Sequence, residues 1–145
     1  MAKRPKTNIK TTDKEVRKVV PDADHAEPVW SFSLITLGGR WCWSLIDPED
    51  RIKVLECFKA WEQMSWIQLK TGGHNYVLWD KLCNEAQDIL KTLGHEGTDT
   101  LFEFKPEGMG IKRVFGIRDR QVFKIIWWDP LHEVCPWHGK GNKRL

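Results

Sequence analysis

Apolar positions along the chain fall into short runs with two different periods. The longest pair, Ile111 to Ile117 and Val122 to Trp128, is separated by Arg118, Asp119, Arg120 and Gln121, four polar residues suited to a hairpin loop. In the first run Ile111, Arg113, Phe115 and Ile117 share one face and Lys112, Val114 and Gly116 the other. In the second, Val122, Lys124, Ile126 and Trp128 alternate with Phe123, Ile125 and Trp127. Both faces are largely apolar, so this central hairpin calls for helices over at least one side. Asp129-Pro130 ends the ladder, because proline has no N–H to donate, and Leu131 to Cys135 reads as a short returning edge strand.

Upstream, VWSFSLITL, then Gly38-Gly39, then RWCWSLI reads as two strands around a glycine turn. Asp47-Pro48-Glu49-Asp50 is a helix start, with a capping Asp, a Pro at the first helical position and acids in the first turn. That helix is expected to run to about Met64, burying Ile52, Leu55, Phe58 and Trp61, with Val54 and Cys57 widening the stripe. Ser65 caps a second helix through Leu69, closed by Gly72-Gly73, and a third is expected from Val77 to Leu93. Leu101 to Phe104 adds a short strand before the hairpin. Helices followed by a run of strands predict an α+β fold: an antiparallel β-meander packed against helices, with an extra N-terminal β-hairpin.

Composition changes the picture at the ends. Residues 1–28 are rich in Lys, Asp, Thr and Pro and poor in large apolar residues, a basic arm without stable structure of its own; residues 29–137 make one domain and 138–145 a basic tail. Residues 1–20 carry a balance of +5 and the tail +3; subtracting both from the net +3 leaves −5 for the body. Such arms can contact phosphates, and they equally suit a solvated tail. Nine tryptophans are spread over every element, the mark of a core built with large rings. No apolar run is long enough to span a bilayer or serve as a signal peptide, and the four cysteines form no Cys-x-x-Cys pair. A cytoplasmic protein with reduced thiols and no membrane contact is expected.

Few chemistries find their residues here. There is no glycine loop followed by lysine for nucleotide phosphates and no Gly-x-Ser-x-Gly for a serine nucleophile. His132, Cys135 and His138, with His74 or His95, have spacings that can gather soft ligands, but Pro136 interrupts the knuckle that zinc motifs use. Neither a metal nor another cofactor is expected. The remaining constellation is basic: Lys112, Arg113, Arg118, Arg120 and Lys124 on the central hairpin, Lys140 in the tail, with His132 and Glu133 just beyond the second strand. Arg and Lys hold phosphates and stabilise developing charge, and His or Glu moves a proton. Equally, Arg118 and Arg120 can simply solvate a turn beside Asp119.

The helix VLWDKLCNEAQDILKTLG followed by the meander FEFKPEGMGIKRVFGIRDRQVFKIIWWDPLHEV resembles the RelE/ParE-type toxins of bacterial toxin-antitoxin modules, including the HigB-like branch. The resemblance implies a metal-independent, ribosome-dependent mRNA endonuclease with an antitoxin partner. Arg113, Arg118 and His132 would be catalytic, and Lys112, Arg120, Lys124 and Lys140 would hold RNA. The alternative is a non-catalytic interaction protein of phage or mobile-element type that binds a protein partner through a Trp-rich surface, as aromatic richness on an acidic body favours.

Overall fold

A computed structural model describes residues 21–136. Helix α1 covers Pro21–His25, α2 Pro48–Trp61, α3 Trp66–Thr71 and α4 Asn84–Thr92; strands are β1 Val29–Ser31, β2 Asn75–Tyr76, β3 Leu101–Phe104, β4 Arg113–Asp119 and β5 Val122–Asp129. Single 3-10 turns lie at Trp43–Leu45 and Trp79–Lys81. The strands make one sheet in the order β1-β5-β4-β3-β2, antiparallel throughout except that β1 runs parallel to β5. The α+β class and the β3-β4-β5 meander are as the sequence predicts. Residues 21–28, which composition assigns to the arm, include α1 and join the fold: Asp24 reaches Lys70 and Arg118, and the Ala26 carbonyl accepts the Trp66 N–H.

The central hairpin turns on two residues rather than four. Asp119 pairs with Val122, and Arg120 takes the left-handed conformation (φ 60°) that such a tight turn requires. The strict alternation expected along β5 breaks at a bulge, where Phe115 pairs with Trp127 but Gly116 with Ile125. Ile126 is the extra residue. It joins Trp127 on one face, and Trp128 moves to the face of Phe123 and Ile125. Gly116 makes the bulge possible: a Cβ there would collide with the Lys124 carbonyl and come within 2.6 Å of Phe123 Cζ.

The N-terminal hairpin is not formed. Only Val29–Ser31 is strand, and the stretch RWCWSLI is loop and 3-10 turn. Beyond Ser31 the chain crosses the free edge of β5, Thr36 donating to the Ile126 carbonyl and Trp128 to the Trp41 carbonyl. Trp41 and Trp43 then enter the cores on opposite faces of the sheet, which a strand paired within a local hairpin would not allow. Leu131 to Cys135 likewise forms a loop and not a strand. It is wound around the buried Asp129 carboxylate, which accepts N–H groups of Glu133 and Val134, both at 2.9 Å.

Helix α2 starts where predicted, with Pro48 at its first position, and ends at Trp61. Its buried stripe differs. Val54 and Trp61 are buried and Cys57 and Phe58 half-buried, but Ile52 and Leu55 are 63% and 66% exposed. The reason is geometric: apolar residues every three positions drift about 60° per step on a helix, so 52, 55, 58 and 61 cannot share one face. Helix α3 carries the predicted Ser65 cap as a reciprocal box with Gln68. The third predicted helix is shorter than 77–93: Val77 donates to the Leu101 carbonyl along the sheet edge, and α4 starts only after Cys83, whose Sγ accepts the Ala86 N–H at 3.4 Å.

The sheet is covered on both sides. Helices α2 and α3 close one face over Trp61, Trp66, Phe102, Phe104, Phe123 and Trp128; α4 and the segment around Trp41 close the other over Leu90, Phe115, Ile126 and Trp127. Most of the tryptophan content is core, as expected.

Candidate functional site

The basic residues of the central hairpin are dispersed by its alternation. Arg118 projects to the α2/α3 face, where its side chain is only 4% exposed. Its Nη2 donates to Asp24 Oδ1 at 2.5 Å, Nη1 to Tyr76 Oη at 3.1 Å and Nε to the Arg120 carbonyl at 2.6 Å, and the guanidinium lies 4.3 Å from the Trp66 ring. Burial opposes charge on Asp24, but hydrogen bonds from Arg118 and Lys70 outweigh it and hold that carboxyl below its usual range. This is a clamp of α1 and β2 to the sheet. Lys112 reaches the buried Asp50 at 2.7 Å, Arg120 is exposed in the turn, and Lys124 is half-buried on β5 beside Ile117. Lys140 and His138 lie outside the described residues.

Arg113 lies on the opposite face, and there it meets His132 through a residue the sequence reading does not single out. Glu103 of β3 receives Arg113 Nε at 3.3 Å and His132 Nε2 at 4.0 Å on the same oxygen. Burial pushes the Glu103 carboxyl up, against the pull of Arg113, Lys105 and His132. Burial likewise raises Asp129 despite its two backbone donors. The loop around Asp129 holds His132 at φ 60°, facing a cleft of about 320 Å³ also lined by Arg40, Trp41, Cys83, Glu85 and Glu133. Arg40 bridges Glu85 at 3.0 Å and Glu133 at 3.6 Å across it. Burial and the nearby Glu103 push the Cys135 thiol up to about 11, which disfavours its thiolate. So Arg113 and His132 are brought together, and the sheet separates Arg118 from both. A Glu inside the apolar strand LFEF, diagonal to an Arg on the next strand, is the signal that would have found Glu103. Among the described residues no group of three or more His, Cys, Asp or Glu is arranged to hold a metal ion.

A second concavity has a different character. Between α2 and the segment after β1 runs a groove of about 410 Å³, floored by Ile46, Val54 and Ile125 and walled by Trp30, Trp43 and Phe58. The walls are fixed from behind: Trp30 meets Phe58 edge-on at 4.7 Å and Phe123 at 5.9 Å, and Trp43 lies 5.7 Å from Trp128. Trp30 Nε1 donates to Glu62 at 3.1 Å, orienting the indole. Phe32, 63% exposed, and Leu55 stand on the two lips. Leu45, next in sequence to Ile46, and Ile52, three residues before Leu55 on α2 and so beside it on the helix surface, are also exposed, which carries apolar surface past the mouth. Arg51 and Lys59 flank Leu55 one turn to either side, and among the described residues neither is in an ion pair. Two of the nine tryptophans, Trp30 and Trp43, thus line a groove, together with the exposed Phe32 and Leu55.

No helix of the described residues is long and apolar enough to cross a membrane. No family model, curated protein or solved structure matches the chain, so the resemblance to RelE-type toxins finds no neighbour to test it.

Proposed function

We propose that this chain is a non-catalytic interaction protein that binds a segment of a partner protein in the aromatic groove beside α2. One observation carries this reading: large apolar side chains, Phe32 and Leu55, stand exposed on the lips of a groove whose floor is apolar and whose aromatic walls are held by the core. Exposed apolar surface of this kind, rimmed by charge, costs solubility unless something covers it. Preformed aromatic walls lose little conformational freedom on binding, which favours affinity. A partner protein suits the site better than a small molecule because Leu45 and Ile52 extend the apolar surface beyond the cavity.

The RNA-cleaving reading draws less support. It asks for free cationic groups on the hairpin, whereas Lys112, Arg113 and Arg118 are each matched by a carboxylate of the same chain, Asp50, Glu103 and Asp24. Helix-forming peptides displayed on phage and panned against the full chain should return sequences that bind Leu55→Glu and Phe32→Asp at least ~tenfold more weakly, a loss of the size seen at interface anchors. Both substitutions are at exposed positions, and unchanged thermal melts show that the variants fold. Peptides that bind the variants as well as the native chain would remove the groove from consideration.

A further inference from the structure

Resting on the groove reading, we infer that the occupant is an amphipathic helix with acidic residues along one edge. The groove lies along α2, and its lip on that side is the row Arg51, Leu55, Lys59, residues four apart on one face of the helix. Two cations thus stand about 12 Å apart with an exposed leucine between them. Arg51 uses Nε on the Ile46 carbonyl, which fixes the stem and leaves its outer nitrogens for a ligand. Lys59 carries its charge without a carboxylate partner among the described residues. Glu62, the acid at this groove, already accepts the Trp30 indole.

A helix packed alongside α2 presents residues seven or eight apart at that same ~12 Å spacing, and an amphipathic helix laid in an apolar groove is a recurring mode of peptide recognition. Acids at those two positions would meet Arg51 and Lys59, while the intervening apolar stripe covers Leu55 and enters between Trp30 and Phe58. The chain's own terminal segments have the wrong sign for this edge: residues 1–20 carry +5 and 138–145 carry +3. The occupant proposed is therefore a helix of a partner protein rather than residues 1–20 or 138–145.

The test uses designed helical peptides of about 18 residues that share one Leu/Ala face and differ only in carrying Glu, Gln or Lys at the two edge positions. Their binding to the full chain is read by fluorescence anisotropy at low salt. The Glu peptide is expected to bind about tenfold more tightly than the Lys peptide, with Gln between, and the gap should narrow as salt shortens the screening length. In the double variant Arg51→Glu/Lys59→Glu the order should invert. A proline at the centre of the Glu peptide should abolish its binding.

Equal affinities for the three peptides, an order unchanged by the charge reversal, or undiminished binding of the proline peptide each overturn the acid-edged helix. In those cases Leu55→Glu still weakens every peptide, and the groove survives as the site. Failure of all peptides and of the apolar dye anilinonaphthalene sulfonate to bind the native chain would overturn the groove reading as well.

Discussion

At the scale of single residues, His74 shows how placement overrides the ordinary chemistry of a side chain. Its ring lies against Trp61 and Phe104, centroids 5.3 and 5.1 Å away, and its Nδ1 accepts the Lys105 N–H at 3.0 Å. Burial first, then the nearby Lys105 and Arg113, bring its pKa down to about 4 from the usual 6.5. The unfolded chain therefore takes up a proton on this ring at a higher pH than the folded one. The contribution of neutral His74 is whole above about pH 6.5 and is lost as pH falls toward 4. Glu103, whose carboxyl is raised by burial, works in the opposite sense, so the histidine is best read by difference. His74→Asn keeps an acceptor near the Nδ1 position without the titration. Urea unfolding of the two proteins across pH 7 to 4 should show the native chain losing about 2 kcal/mol relative to the variant, the full shift being discounted for partial solvent screening. Curves that stay parallel would show that His74 does not titrate in this way. None of this is visible in the sequence, where His74 stands among polar residues. Arg118 and Arg120, two apart and alike on paper, differ as completely: one is clamped beneath α1 and the other is exposed in the turn.

At the scale of elements, the bulge in β5 is the feature on which both cores depend. Gly116 lies across from it with no room for a methyl group against the Lys124 carbonyl and the Phe123 ring, neither of which is the loose end of a flexible chain. Gly116→Ala must push β4 and β5 apart or turn Phe123 out of its core, at a cost of about 2–3 kcal/mol. A urea midpoint unchanged by the substitution would mean that the hairpin relaxes freely, contrary to this packing. The bulge also marks where the sequence stops being legible. Strands β3, β4 and β5 and the start of α2 follow from alternation, from Asp-Pro and from proline at the first helical position. But Ile125, Ile126, Trp127 and Trp128 are all apolar, so a shift of period leaves no trace in them. The edge strand β1 pairs with a partner some ninety residues away, in a parallel register that no local turn signal announces. At the candidate groove, the three-residue spacing of Ile52, Leu55, Phe58 and Trp61 is visible in the sequence. Which of them stays outside depends on the angle at which α2 meets the sheet.

At the scale of the whole molecule, the sheet is a shared wall between two cores of similar size, with 12 buried apolar residues on the α2/α3 side and 11 on the α4 side among the described residues. Neither half closes without the other, because adjacent residues of the same strands feed both: Val114 and Phe115 on β4, Ile125 and Ile126 on β5. The fold should therefore come apart in one step. Leu69→Ala removes a fully buried side chain on one side and Leu90→Ala on the other, and each should cost about 2–4 kcal/mol through lost burial and the cavity left behind. Since the two sites face away from each other across the sheet, their effects should add to within about half a kcal/mol in the double variant. Urea unfolding followed by far-ultraviolet circular dichroism and by tryptophan fluorescence should give one coincident transition for each protein, with lower midpoints and an unchanged slope. Two transitions in either single variant, one for each face, would show instead that the halves are separable. A binding groove on the α2 side would then rest on a unit that unfolds independently of the α4 side.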